Sequence, residues 1–103
     1  MYFITKQGDT RTALKARLYP VEGSMSEVTQ VDFRMSDRFF KEQINRQVNV
    51  YSDPDVTVIF SAEEADRYGK FLGEFNLHFT DGRIETIPKD KHITIIFVRK
   101  AGE

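Results

Sequence analysis

Apolar and polar residues alternate along most of this chain. The clearest stretch runs from Thr29 to Met35, where Thr29, Val31, Phe33 and Met35 point one way and the polar residues between them point the other. A period of two is typical of a strand with one buried face and one wet face. The same pattern predicts strands at residues 2–5, 12–19, 46–51, 56–60, 71–79, 83–87 and 93–98.

Turn signals separate these segments. Gly8-Asp9-Thr10 predicts a turn or a bulge after the first strand. Residues 20–26 predict a loop rich in helix and strand breakers, and Asp53-Pro54-Asp55 predicts another turn. Asp81-Gly82 is a strong hairpin signal. Residues 36–44 are ambiguous, because Phe39, Phe40 and Ile44 fit a helical spacing nearly as well as a strand with a loop. We favour an extended or irregular conformation there.

One short helical turn interrupts the strands. Ser61 followed by Glu64 matches a capping box, in which each side chain bonds the other residue's backbone N–H. The pattern predicts a helical turn that ends near Tyr68, with Gly69 as its stop.

About seven short strands with turn signals every 8–12 residues or so indicate an all-β fold. We expect one domain over all 103 residues, with two antiparallel sheets packed face to face as a β-sandwich. Its core should include Val31, Phe33, Phe75 and Leu77. The run from Ile95 to Val98 is apolar on both faces. That strand is therefore either central or covered by a partner.

Charge and composition limit the classes of partner that the protein is expected to bind. Fifteen basic residues face sixteen acidic ones, for a net charge of −1, without the basic excess of a nucleic-acid-binding protein. We therefore expect no nucleic-acid partner. No apolar run approaches the roughly 18 residues of a membrane span, so membrane insertion is not expected. The sequence has no cysteine, which excludes disulfides and thiolate chemistry.

Candidate chemistry is sparse. His78 and His92 are far apart in sequence and fit surface histidines better than metal ligands. Clustered carboxylates at Asp53 and Asp55 leave a calcium site open, although a turn around the intervening proline is the better explanation. The sequence has neither the Gly-x-Ser-x-Gly pattern of a nucleophile elbow nor a phosphate-binding loop. We therefore predict a protein that is not an enzyme and uses no cofactor or metal.

Four aromatic residues are the candidate protein contacts: Tyr2, Phe3, Phe39 and Phe40. If the segment is extended, one of the adjacent phenylalanines must point away from the core. An outward phenylalanine indicates a protein interface, and local core packing is the alternative. The strand at residues 2–5 and any exposed edge strand are further docking elements, because an edge accepts a partner strand through backbone hydrogen bonds.

Several short motifs follow one another along the chain. The opening I-T-K-Q-G-D-T-R at residues 4–11 leads into A-L-K-A at 13–16, the start of an alternating strand. The later motifs are V-D-F-R-M at 31–35, S-A-E-E-A at 61–65, Y-G-K-F at 68–71, F-N-L-H-F at 75–79, D-G-R at 81–83 and T-I-P at 86–88. In order and spacing these motifs resemble those of the N-terminal domain of siphophage upper baseplate proteins. The family's neutral, Gly-rich turn is replaced here by E-G-S-M-S-E at 22–27.

The resemblance implies an immunoglobulin-like sandwich that serves as a structural, non-catalytic part of a bacteriophage tail or baseplate. Its partners would be other tail or baseplate proteins, with a homo-oligomer left open. It would be synthesised in the bacterial cytoplasm and located in the virion. Two alternatives stay open: a small non-virion phage protein that acts on the host, and a carbohydrate-binding module. The module would need aromatic platforms on one exposed face, built from Tyr2, Tyr19, Tyr51 and Tyr68.

Overall fold

The computed structural model describes residues 1–19, 25–52 and 54–101, and it is rich in β-strands. Within those residues it has a 3-10 turn (Met25–Glu27), one α-helical turn, α1 (Ala62–Ala65), and nine strands. The strands are β1 (Tyr2–Lys6), β2 (Leu14–Arg17), β3 (Val28–Asp37), β4 (Glu42–Gln47), β5 (Val50–Ser52), β6 (Asp55–Val58), β7 (Gly69–Phe79), β8 (Ile84–Ile87) and β9 (Ile93–Val98). The β-rich fold expected from the alternation is confirmed.

The strands form two sheets. The larger sheet has the order β1-β9-β7-β3-β4, and β8 pairs with the second half of β7. The smaller sheet has the order β2-β6-β5. Every pair is antiparallel except β1 with β9, which run parallel. The expectation of purely antiparallel sheets is wrong for this pair: these two strands lie near opposite ends of the sequence, so no tight turn dictates their relative direction.

The inward faces of the two sheets share one hydrophobic cluster. The four residues that alternation places in the core, Val31, Phe33, Phe75 and Leu77, are each at most 1% exposed. Leu14 and Val56 enter the same cluster from the smaller sheet.

Phe60, just after β6, joins the two layers of this core. Its ring centroid lies 5.9 Å from that of Phe33 and 5.4 Å from that of Phe97. Both contacts are edge-on, a favoured arrangement of aromatic rings.

The chain crosses from the larger to the smaller sheet at Val48 and Asn49. The Val48 N–H donates to the Val31 carbonyl at 3.0 Å, whereas the Asn49 N–H donates to the Thr57 carbonyl at 3.0 Å. The prediction of one strand over residues 46–51 is therefore wrong. Alternation continues through the crossing, so the pattern alone does not reveal that the two halves belong to different sheets.

A β-bulge near the start of β3 changes which residue faces the core. The pairing of β3 with β7 shifts between Val28 and Gln30, so Val28 is buried and Thr29 is exposed. The Thr29 hydroxyl donates to the His78 carbonyl at 3.1 Å. The expected inward position of Thr29 is wrong because a bulge inserts one extra residue and breaks the period of two.

Helix α1 begins as predicted and ends earlier. Both hydrogen bonds of the capping box between Ser61 and Glu64 are present. The helix ends at Ala65, because the Asp66 N–H bonds the Glu63 carbonyl in a non-helical conformation. Gly69 is therefore not the helix stop; it has a φ of 114° and begins β7.

The predicted turns can be compared with the structure wherever their residues are described. The hairpin at Asp81-Gly82 is confirmed: the Phe79 N–H bonds the Arg83 carbonyl at 2.9 Å, and Gly82 has a φ of 88°. Residues 36–44 form a hairpin between β3 and β4, which confirms the preference for extended backbone. The loop at 20–26 and the turn at 53–55 fall partly outside the described residues. No helix among the described residues is long and apolar enough to cross a bilayer.

Candidate functional site

The larger sheet has one face on the core and an outer face whose side chains are half-buried or exposed. Residues paired across adjacent strands share a face, so the register fixes which side chains lie together there. One outward row is Tyr2, Thr94, Leu72 and Ser36, and the next row is Ile4, Ile96 and Lys70.

One end of this outer face is apolar. We call Tyr2, Ile4, Leu72, Ile96 and Val98 the apolar patch. Tyr2 is 73% exposed and Ile4 is 60% exposed, while Leu72 and Ile96 are half-buried between neighbouring strands. Strand β9 is central in the sheet, as one reading of its sequence predicted, yet its outward side chains still reach solvent. Clustered apolar side chains on a sheet face are typical of a contact surface.

Phe40 lies beside this patch in an unusual backbone conformation. Its φ is 63°, in the left-handed region that glycine and asparagine favour, and its side chain is 68% exposed. Its ring centroid lies 5.8 Å from that of His92. Phe40 and Leu72 also line the same shallow groove of about 210 Å³. The turn between β3 and β4 therefore folds the Phe40 ring back over the outer face.

The Asp37 side chain holds this turn in shape. Its carboxylate accepts the N–H of Phe39 at 2.9 Å and the N–H of Lys41 at 3.0 Å. Its carbonyl accepts the Phe40 N–H at 2.9 Å. Phe39 is 76% exposed, with the Arg38 guanidinium 5.0 Å from its ring centre. Both phenylalanines of the pair are thus outside the core, and local core packing does not explain either one.

Phe3 differs from the other three candidates because its side chain points inward. It is half-buried, and its ring centroid lies 5.9 Å from that of Phe60. The structure therefore brings Tyr2 and Phe40 to the same outer face, leaves Phe39 at the turn, and places Phe3 against the core.

Polar groups on the rest of the outer face are paired with one another. Arg34 bonds Glu42 at 3.0 Å, the His78 ring lies 2.9 Å from Asp32, and the His92 ring lies 3.9 Å from Glu74. The two histidines are on the surface, as expected. Among the described residues, no group of three or more His, Asp or Glu side chains is arranged to hold a metal ion. Asp53, half of the calcium alternative, lies outside those residues.

Arg46 and Glu64 form an ion pair that the sequence did not reveal. The guanidinium donates to both carboxylate oxygens, at 2.7 and 3.0 Å, and to the Ile59 carbonyl at 2.8 Å. These Arg46 hydrogen bonds hold the pKa of the Glu64 carboxyl below its usual range. The pair ties β4 to α1 and to the end of β6, and its bonds are all internal. Its geometry is that of a structural link between the sheets.

Asp9 organises the turn after β1. Its carboxylate accepts the Thr12 hydroxyl at 2.8 Å and the Arg11 N–H at 3.0 Å. The Thr12 hydrogen bond, followed by that of Arg11, lowers the pKa of Asp9. This carboxylate also serves the fold, because its partners belong to its own turn.

The tyrosines that a sugar platform would need lie on different parts of the molecule. Tyr2 is on the outer face, Tyr51 is half-buried against the core from the smaller sheet, and Tyr68 lies in the segment before β7. Tyr19 is exposed beyond the end of β2. They do not form one aromatic face.

Comparison with known proteins gives this chain no relative. It matches no family model, no curated protein and no solved structure.

Proposed function

We propose that this protein is a non-catalytic docking module that binds neighbouring protein subunits through Phe40 and the apolar patch, at one end of the outer face of its larger sheet. The observation that carries the proposal is Phe40. A bulky residue in the left-handed region costs about 1–3 kcal/mol, and such outliers concentrate at functional sites. Here the strained residue presents an aromatic ring to solvent. Folding alone favours neither feature, whereas a partner that covers the ring accounts for both.

The surroundings of Phe40 suit a protein partner. Aromatic anchors surrounded by polar groups are typical centres of protein interfaces. Phe40 and the apolar patch supply the anchors, and the Arg34–Glu42 and His92–Glu74 pairs border them. Arg34 and Glu42 bond each other, so a partner can cover that pair with little loss of hydrogen bonding.

The resemblance to siphophage upper baseplate proteins supports a place for this module in a phage tail or baseplate. In this proposal the two sheets form an immunoglobulin-like sandwich, which displays the outer face to adjacent tail proteins. The protein would be made in the host cytoplasm and built into the virion. Two layers of short strands around one core are compatible with such a sandwich.

Replacing Phe40 by Asn in the phage that encodes this chain tests the proposal. Asn accepts the left-handed backbone, so the isolated variant should match or exceed the parent in urea-unfolding stability. Loss of an aromatic anchor should lower its incorporation into purified virions at least about tenfold, as quantified by mass spectrometry.

The matched control is Ile84→Asn, because Ile84 is also a large, exposed residue of the outer face, at its far end on β8. This variant should be incorporated like the parent. The proposal fails if purified virions lack the protein, or if Phe40→Asn is incorporated as well as the parent.

A further inference from the structure

Strand β1 forms an edge of the larger sheet, and no described backbone group bonds the N–H and C=O groups on its free side, apart from the Lys6 carbonyl. The Met1 carbonyl accepts the Thr94 N–H at 2.9 Å, and the Gln7 N–H donates to the Val98 carbonyl at 2.8 Å. Alternate residues of a strand bond the same neighbour, so odd-numbered residues of this segment face β9. The N–H and C=O groups of Tyr2 and Ile4, and the N–H of Lys6, therefore face away. No described strand pairs with that side.

We propose that β1 is a homodimerisation strand, which pairs antiparallel with β1 of a second copy so that the two Ile4 residues lie opposite each other. In an antiparallel pair, alternate opposed residues exchange both backbone hydrogen bonds. Ile4 bonds Ile4 of the second copy, and Tyr2 bonds Lys6 of the second copy on each side. This gives about six hydrogen bonds around a two-fold axis. The Lys6 carbonyl already accepts the Asp9 N–H at 3.0 Å, and its second lone pair accepts the new bond.

The choice of a second copy follows from how the free groups and side chains are distributed. The free backbone groups belong to three residues centred on Ile4, so the edge is complementary to itself. Pairing sets Ile4 against Ile4, and sets the Lys6 stem and ammonium against the Tyr2 ring, a favourable cation–π contact. Lys6 is the only charged side chain in β1, so no like charges lie directly opposite.

The dimer also enlarges the docking surface. Tyr2, Ile4 and Lys6 point to the outer face, so pairing at β1 joins the apolar patches of two copies into one continuous strip. A contact between two short strands is smaller than the roughly 1,200 Å² of a standard interface. We therefore expect dissociation constants in the micromolar range or weaker.

A second copy of this chain is thus one partner of the protein. The role of the joined patch in docking rests on the proposed function. The dimer and the docking function can each be disproved without the other, because their tests are independent. Dimerisation is measured on the isolated protein, and docking is measured by incorporation into virions.

Sedimentation velocity over about 10 μM to 1 mM tests the dimer, a range chosen to bracket weak interfaces. The parent should shift from monomer to dimer. Ile4→Glu places two carboxylates opposite each other and should raise the dissociation constant at least about tenfold. Ile84→Glu is the matched control, because Ile84 is 60% exposed like Ile4 and also lies on the outer face, in β8. It should leave dimerisation unchanged.

Amide hydrogen exchange on the unmodified protein tests the register. The N–H groups of Ile4 and Lys6 should gain protection as concentration rises, whereas those of Phe3 and Thr5, bonded to β9, should be protected throughout. A chain that stays monomeric at about 1 mM overturns the proposal and leaves this edge to a strand from another protein. A dimer that is insensitive to Ile4→Glu, or that shows no concentration-dependent protection of Ile4, also overturns it.

Discussion

Gly73 lies where β7 packs closely against the core. A Cβ atom there would come within 2.6 Å of the Ile95 Cδ1 and 3.3 Å of the Phe33 Cε1. Ile95 and Phe33 are fully buried, so neither has free space into which to move. The backbone here is that of an ordinary extended strand, which any residue can adopt. Steric crowding by Ile95 and Phe33 therefore explains why this residue is glycine.

Gly73→Ala should lower the free energy of unfolding by about 1–3 kcal/mol, the usual cost of overpacking a core. Ile95→Val removes the closest methyl group and by itself should cost about 0.5–1.5 kcal/mol. Because the two changes compensate, the double variant should cost less than the sum of the single variants. Urea unfolding of the three variants measures the coupling. Strict additivity would show that the Ile95 methyl group is not what Gly73 accommodates.

At the residue scale, the sequence predicts what depends on alternation and misses what depends on local backbone irregularity. Val31, Phe33, Phe75 and Leu77 are buried as predicted, because each lies in a regular strand. Thr29 is not, because a bulge shifts the register beside it. The left-handed backbone of Phe40 is also invisible in the sequence, since its residue type disfavours that conformation.

At the scale of elements, α1 is too short to be stable alone, and its position depends on Arg46. The helix has four residues, far fewer than an isolated helix needs. Arg46 reaches it from β4 and also binds the Ile59 carbonyl and the Asn49 side chain. Glu64 thus has two roles: it completes the capping box and it neutralises Arg46. Through Arg46, the helix is linked to β4 of the larger sheet and to the segment after β6 of the smaller sheet.

Glu64→Gln should change how stability depends on pH. The folded-state pKa of Glu64 lies below its ordinary value of 4.5, so its ionised form stabilises the fold above that pH. This contribution is lost as the pH falls through the folded-state pKa. The variant should be about 1–3 kcal/mol less stable at neutral pH, the usual cost of weakening charged hydrogen bonds, and the difference should shrink in acid.

Urea unfolding at several pH values measures this difference. Glu63→Gln is the matched control, since Glu63 is exposed in the same helix, and its effect should be small throughout. A difference between Glu64→Gln and the parent that is the same at all pH values would contradict the role of the ion pair.

The sequence predicted the elements better than their connections. The capping box identified the start of α1, and Asp81-Gly82 identified the β7–β8 hairpin. These signals act between near neighbours in sequence. The Arg46–Glu64 pair joins residues 18 apart, and the crossing between sheets at Val48 and Asn49 occurs inside a regular alternation. Neither leaves a local signal, because both depend on how the two sheets pack.

At the scale of the whole molecule, the two faces of the larger sheet differ in what lies against them. The smaller sheet and Phe60 cover its inner face, whereas the apolar patch, Phe40 and paired polar groups occupy the outer face. The apolar run in β9 indicated either a central strand or a covered one. The strand is central, and its outward side chains are what the proposed partner would cover. The parallel pairing of β1 and β9 that creates this edge links remote segments, so it was beyond prediction from local pattern.

Adjacent isoleucines in β9 allow the two faces to be compared within one strand. Ile95 is fully buried on the inner face, and Ile96 is half-buried on the outer face. Ile95→Thr buries a hydroxyl in the core and should cost about 2–4 kcal/mol in urea unfolding. Ile96→Thr should cost less than about 1 kcal/mol in dilute protein, because its side chain already meets water. Equal costs would mean that the outer face is covered even in the isolated chain, which would remove the physical basis for a docking surface there.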